Sequence, residues 1–237
     1  MKLILTNDDG IEAPGLRALE YALENIGELV VVAPECSQSE IGHQVTTKAP
    51  IGFRKISSAR YGVSGTPADC ARIALTVFHP DADWLIAGIN RGGNLGADTY
   101  ISGTVAAARE AALLGIKAIA ISHYVAENRE VDWSLAARRA ALVLKKLIDS
   151  GLEPACFFNV NLPHPPDGFP DPPVSFCALD TMPLAFRFRR EGDQYVYRGN
   201  YHQRPRQPGR DVDMCFSGRI AVSKIPLEMA DTHHTGK

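Results

Sequence analysis

The first 33 residues constrain the fold more than any other stretch of the chain. Lys2 to Thr6 is a short apolar run that stops at Asn7-Asp8-Asp9-Gly10, as a buried strand does where it leaves a sheet for a polar loop. Pro14 opens a helical stretch to about Asn25, with Leu16, Leu19, Ala22 and Leu23 on one face. Glu28 to Ala33 (ELVVVA) is a second apolar run, stopped by Pro34. Strand, helix and strand in that order form a βαβ unit, and the two strands of such a unit pair in parallel.

The alternation continues. Pro67 to about Val77 reads as a helix with Thr66 as its cap. Trp84 to Ala87 (WLIA) reads as a strand ending in Gly88-Ile89-Asn90. An alanine-rich helix over Gly103 to Leu114 leads to a strand over Lys117 to Ser122, then to an amphipathic helix over Asp132 to Asp149 with a basic outer face. Phe157 to Val160 adds one more strand. An α/β open sheet over residues 1–162 is the expectation. Pro163 to Pro173 is too proline-rich for regular structure. Phe186 to Arg190 and Gln194 to Arg198, split by Glu191-Gly192-Asp193, read as a protruding β-hairpin. Gly218 to Ile225 reads as a last strand, and Asp231 to Lys237 as a polar, disordered tail. The whole, 1–237, reads as one domain, with residues 163–237 forming the loop, hairpin and C-terminal extension.

Composition narrows the function classes. A chain of 237 residues that is 45% hydrophobic buries enough surface to need no covalent staple. The five cysteines are odd in number and include no CxxC pair, which argues against a zinc site and a disulfide framework. A net charge of -2 gives no electrostatic footprint for duplex nucleic acid or an anionic membrane. No apolar run approaches the ~18 residues of a membrane span, and the opening MKLILTNDDG lacks a leader pattern. A cytoplasmic protein is expected.

Ligands of open α/β sheets bind beyond the carboxyl ends of the strands, and three such ends carry polar loops. Asp8 and Asp9 repel one another unless a cation sits beside them, and hard cations take oxygen ligands. The same pair also reads as a polar turn in which Asp9 or Asn7 caps the following helix. Residues 34–43 form a hydroxyl-rich loop in which Ser39 can offer a neutral oxygen to a metal, or which simply connects strand to helix. His43 there is a candidate general acid. Gly88 to Gly96 holds four glycines in nine residues, so its backbone can approach a ligand closely; Asn90 offers a carbonyl, and Asn94 a contact to base or phosphate. It lacks a Walker pattern. Ser102-Gly103-Thr104 opens a helix, which suits a phosphate or ordinary capping, and Ser64 to Asp69 has the same form. Arg187, Arg189 and Arg190 form an exposed charged face, touch a phosphate or meet a neighbouring subunit. His233-His234 reads as solvated.

Together these pieces resemble the SurE family, the survival-protein 5'/3'-nucleotidases. The matching blocks are ILTNDDGIEAPGL, VVVAPECSQSE, VSGTPADCARIAL, LIAGINRGGNLGADTYISGTVAAAREAALLGIKAIAIS, FNVNLP and GRDVDMCFSGRIAVSKIPL. The resemblance implies a Rossmann-like open sheet in three αβα layers with a protruding hairpin, and one divalent metal ion per subunit, Mg²⁺ or Mn²⁺, on Asp8, Asp9, Ser39 and Asn90. It places Asn7, Gly42, Asn94, Ser102, Gly103 and Thr104 around the phosphate and nucleoside. It implies a homodimer or homotetramer and the hydrolysis of nucleoside 5'- and 3'-monophosphates, with Asp8 and Asp9 as the catalytic pair. Joint ligation suits adjacent aspartates better than nucleophilic attack by Asp8, so water is the expected nucleophile. The rival readings are a non-catalytic nucleotide-binding or regulatory protein on the same fold and a nucleotide-dependent transferase. Three features depart from the family pattern: Glu40 stands where glycine usually follows the loop serine, Gln38 replaces a basic residue, and the stretch after the last strand is short.

Overall fold

The computed structural model describes residues 1–164, 171–184 and 186–227. Much of the proline-rich stretch and the whole 231–237 tail, with His233 and His234, lie outside the described residues.

Among the described residues, eleven strands and five α-helices run in the order β1 (Lys2–Thr6), α1 (Pro14–Leu23), β2 (Glu28–Pro34), β3 (Phe53–Ser57), β4 (Arg60–Val63), α2 (Pro67–Ile73), β5 (Trp84–Arg91), α3 (Gly103–Leu113), β6 (Lys117–His123), α4 (Trp133–Ser150), β7 (Cys156–Leu162), β8 (Val174–Phe176), β9 (Phe188–Glu191), β10 (Gln194–Tyr197), α5 (Asp211–Phe216) and β11 (Ile220–Pro226). Nine strands form one sheet in the order β3-β4-β2-β1-β5-β6-β7-β11-β8. The stretch from β4 to β7 is parallel, while β3 and β11 pair antiparallel to its ends.

The apolar runs are continuous because both sheet faces are covered. Leu3 and Leu5 pack with Val31, Ile86 and Ile121 under α1 and α4. Ile4 points the other way, with Val30, Leu85 and Ala120, under α2 and α3. The alanines of α3 (Ala106, Ala107, Ala108, Ala111) are buried, so that helix lies close to the sheet with its start beside the end of β1. A smaller core of Leu95, Tyr124, Val212, Cys215 and Ala221 joins the C-terminal segment to this body.

Chain order sets the position of the site. From β1 the chain winds outward through β2 and β4, then returns across β1 to place β5 on its other side. The strand order therefore reverses between β1 and β5, and the crevice beyond their carboxyl ends is where open α/β sheets bind ligands. The loop after β1 carries Asp8 and Asp9, and the end of β5 carries Asn90.

Four expectations are corrected. The strand starting at Trp84 does not stop at Ala87 but runs on to Arg91, with a register shift between Ala87 and Asn90. The hairpin is Phe188–Glu191 paired with Gln194–Tyr197, so Phe186 and Arg187 precede it and Arg198 follows it. The helix expected to reach Val77 closes at Ile73 and widens into a π-turn over Ala74–Phe78. The strand expected at Phe157–Val160 extends from Cys156 to Leu162. The strands β3, β4 and β8 and the helix α5 carry no clear periodicity.

Candidate active site

Asp8 sits immediately past β1 and is 5% exposed. The alternative that Asn7 or Asp9 caps α1 does not hold, because Ala13 occupies the cap position and no side chain bonds there. Asp8 instead faces the start of α3. The Thr104 hydroxyl donates to Asp8 Oδ1 at 2.6 Å and the Thr104 N–H donates to Oδ2 at 3.2 Å. Gly103 makes this approach possible: a Cβ there would lie 3.0 Å from Asp8 Cβ and 3.1 Å from its Oδ2. The helix start places partial positive charge beside the carboxylate. Burial outweighs that help and the Thr104 bonds, and with the adjacent Asp9 charge it pushes the Asp8 pKa up from 3.8 to about 6. Burial also raises Asp9, against a backbone N–H from Arg91 and that residue's charge. Two neighbouring carboxylates are thus held partly out of water, an arrangement that a bound cation relieves.

The loop after β2 is stitched to this turn. Gln38 N–H donates to Asp8 O at 2.7 Å, and Ile11 N–H to Pro34 O at 2.8 Å. Gly10, at φ +102°, leaves only 3.3 Å between a notional Cβ and the Cys36 and Ser37 backbone, so a side chain there would separate the two loops. Ser39 is tied to Ser37 by a 3.0 Å hydroxyl contact. Glu40, in place of the family's glycine, adopts φ +59°, a left-handed conformation that costs a residue with a Cβ roughly 1–2 kcal/mol.

β5 supplies the third wall. Gly88 lies so close to Ile121 that a Cβ would meet its carbonyl oxygen at 2.1 Å, and a Cβ on Gly15 of α1 would meet Ile89 O at 2.0 Å. Both positions therefore admit only glycine, and Asn90 is fixed at the strand end opposite Ser122. Arg91 N–H reaches Asp9 Oδ2 at 3.3 Å. The Asn90 amide N–H donates to Gly92 O at 2.9 Å, leaving its carbonyl oxygen available to a ligand.

The structure therefore brings the loops that carry Asp8, Asp9 and Ser39 and the end of β5 that carries Asn90 to one end of the sheet. Their donor set, two carboxylates, a hydroxyl and an amide carbonyl, consists only of oxygen and fits a hard divalent cation. Beside it, Asn7 Nδ2 donates to Gly10 O, while its buried Oδ1 has no partner. Gly42 joins through its N–H to Ile101 O at 3.1 Å. Ser102 caps α3 by accepting from Val105 N–H, and Thr66 with Asp69 forms a capping box on α2; in both, ordinary capping is the observed role. Thr104 serves the Asp8 carboxylate. Asn94, expected to touch base or phosphate, donates its side-chain amide N–H to Ser122 Oγ and pairs through its backbone with Asn159 and Asn161 in a buried network. His43 points to Glu110 and Arg109 and is not presented as a general acid. Arg189 pairs with Glu191 and Arg190 with Asp193, all on the hairpin.

The sequence offers no sign of the brace behind the glycine-rich turn. Asp211 accepts from Gly96 N–H at 2.7 Å and Asp180 N–H at 2.6 Å. Arg204 and Tyr201 both donate to Asp98 Oδ2, at 2.5 and 3.0 Å. These contacts hold the far side of the loop after Asn90, and those made to Gly96 and Asp98 arise from residues more than 100 positions away, which leaves no local pattern to read.

Comparisons with known proteins bear on the family and the fold. The sequence pattern of the family described as survival protein SurE matches residues 3–179. A protein of Synechocystis sp. is 52% identical over 95% of this chain and 99% of its own length, and its name assigns a 5'-nucleotidase only provisionally. A protein of Paramagnetospirillum magneticum named 5'-nucleotidase SurE is 35% identical, covering 97% of this chain and 91% of its own. The crystal structure of the SurE protein from Aquifex aeolicus superposes with a TM-score of 0.83 at 29% identity, over 98% of this chain and 95% of that one.

Proposed function

The chain belongs to the survival protein SurE family, and from that premise we propose that it is a divalent-metal-dependent 5'-nucleotidase that hydrolyses nucleoside 5'- and 3'-monophosphates to nucleoside and phosphate. The observation that carries the reading is the buried Asp8 beside Asp9, raised to about 6 by burial and its neighbour and facing the start of α3. The names of the curated relatives support the enzyme class.

In this reading Asp8, Asp9, Ser39 and Asn90 hold the cation, which when bound supplies electrostatic stabilisation of charge developing on the phosphoryl group. Thr104 keeps the Asp8 carboxylate in one orientation through two donors. The start of α3 adds positive potential where a phosphate dianion sits. Gly42 and Asn7 line the same crevice. Positioning and electrostatics supply most of the catalysis in phosphoryl transfer, and the two strapped loops with the end of β5 provide both. Water attacks phosphorus, the ester P–O bond breaks, and the nucleoside hydroxyl leaves with a proton.

The proposal extends to self-association as a homodimer or homotetramer. Two-stranded hairpins are marginal alone in water, and the β9–β10 region leaves Phe186, Phe188, Tyr195 and Tyr197 more than half exposed. It also extends to a cytoplasmic setting, which the five free cysteines fit. Among the described residues no helix is long and apolar enough to cross a membrane.

The test is phosphate release from a panel of nucleoside monophosphates with EDTA, Mg²⁺ or Mn²⁺. Metal-dependent release, lost in Asp8→Asn, is expected. Nucleotide binding without turnover at saturating metal would replace this reading with the non-catalytic one, and turnover that requires an acceptor other than water would replace it with the transferase.

A further inference from the structure

Resting on the phosphatase reading above, we infer that Glu110 is a positioning residue that acts through His43, clamping the Ser39–His43 loop over the Asp8 carboxylate so that the loop stays closed on the substrate phosphate.

The segment between the end of β2 at Pro34 and the start of β3 at Phe53 has no regular structure. So long a connection inside a compact domain is held by side chains or is not held at all. It carries Ser39 and Gly42, both assigned above to the crevice. Its backbone touches the site at two points, Gln38 N–H on Asp8 O and Gly42 N–H on Ile101 O. Beyond His43 it is fixed to α2, where Thr46 donates twice to Asp69 and Thr66 donates to Gln44 O. The part that bears Ser39 and Gly42 lies between these anchors, and there His43 reaches into the fold.

His43 Nε2 lies 2.6 Å from Glu110 Oε2, and Arg72 Nε donates to Glu110 Oε1 at 2.6 Å. The Glu110 side chain is only 5% exposed, and a carboxylate so buried is stable only when paired. Arg109 NH1 lies 3.4 Å from His43 Nδ1, and Arg109 NH2 donates to Thr99 O. The arrangement fits an Nε2–H that donates to Glu110 and an Nδ1 that accepts from Arg109. Both ring nitrogens are thereby committed to α3, so the imidazole acts as a peg. Glu110 lies two turns along the helix whose first residues face Asp8. One rigid element therefore fixes the phosphate end of the crevice and the loop that covers it. Arg72 completes the Glu110 pairing from α2, to which the loop's far end is also tied.

Contacts made equally to bound substrate and transition state appear in KM and leave kcat nearly unchanged. The test compares wild type, His43→Ala and Glu110→Gln in steady-state phosphate release from adenosine 5'-monophosphate with Mg²⁺, alongside hydrogen exchange of the metal-free proteins. His43→Ala leaves Glu110 with Arg72, so the fold survives. A charge-assisted contact of this kind gives a rise of about tenfold in KM and in the Mg²⁺ concentration for half-activation. In the same variant kcat stays within about threefold. The Gln38 and Gly42 amides, the two of this stretch that donate to the site, exchange about tenfold faster, while those of β1 and β5 are unchanged. Glu110→Gln keeps an acceptor for Arg72 and a partner for His43, so its KM shifts less than that of His43→Ala. Unchanged KM together with unchanged loop exchange would overturn the inference. A hundredfold loss of kcat at constant KM would also overturn it, by placing His43 in proton transfer. Absence of turnover in wild type would instead refute the phosphatase reading, and the exchange measurement would still decide the clamp.

Discussion

Replacing Asp8 with asparagine removes the charge on which the proposed activity depends, and it should also make the metal-free protein more stable. The carboxylate is 5% exposed, and burial is the main cause of its rise from 3.8 to about 6. A folded-state pKa above the unfolded value means that the native state holds its proton more tightly. The destabilisation is therefore absent below about pH 4, grows as pH rises toward 6 and is complete above it. At neutral pH a rise of that size corresponds to about 3 kcal/mol. Asparagine is nearly isosteric, and its amide can give Oδ1 to the Thr104 N–H and Nδ2 to the Thr104 hydroxyl, so both present contacts have replacements. We expect Asp8→Asn to gain about 2–3 kcal/mol at pH 7.5 in EDTA, or about 5–10 °C in Tm for a chain of this size. The assay is thermal unfolding of both proteins in EDTA from pH 4.5 to 8, repeated with Mg²⁺. The gain should shrink steadily toward pH 4.5, and Mg²⁺ should raise the Tm of wild type more than that of the variant. A loss of stability at pH 7.5, or a gain independent of pH, would refute the reasoning.

Three further outcomes follow from the same contacts. Thr104→Val removes the hydroxyl that holds Asp8 down, so the Asp8 pKa rises further and the acidic limb of the pH–rate profile moves to higher pH; an unmoved limb would count against the role given to Thr104. Gly103→Ala places a methyl 3.0 Å from Asp8 Cβ and 3.2 Å from Pro67 Cγ, so it should cost roughly 1–3 kcal/mol where alanine ordinarily favours a helix, as denaturant titration would show. Glu40→Gln removes an exposed negative charge beside Ser39, and at low salt it should raise kcat/KM for a nucleoside monophosphate about two- to threefold, a gain that 0.5 M salt abolishes; a gain insensitive to salt would point to the backbone instead.

The central strands were legible because both of their faces are covered. Leu3, Ile4 and Leu5 form one unbroken apolar run, with Leu3 and Leu5 on one face and Ile4 on the other. β3 escaped notice for the opposite reason, since all five of its residues are exposed and an edge strand without a buried face leaves no period. β8 and α5, of three and six residues, are too short to show one. Asp8 and Asp9 stood out through a local conflict, two like charges at a strand end, which needs no knowledge of distant residues. Thr104 is legible from its helix-start position, but which group it serves depends on a contact across 96 residues. Asn94 looked like a free amide in a glycine-rich loop, and the Asn159, Asn161 and Ser122 side chains that engage it lie on β6 and β7. Glu110 sits in an alanine-rich helix, where a lone glutamate reads as solvated, and only the packing of α2 and the 38–46 loop buries it.

The central claim is that Asp8, Asp9, Ser39 and Asn90 form one divalent-cation site. Titration of the metal-free chain with Mn²⁺, with free Mn²⁺ followed by electron paramagnetic resonance, tests this without reference to turnover. One ion per chain is expected in wild type and binding at least tenfold weaker in Asp8→Asn, since one of two carboxylate ligands is lost. Equal Mn²⁺ affinity in the two proteins would contradict it.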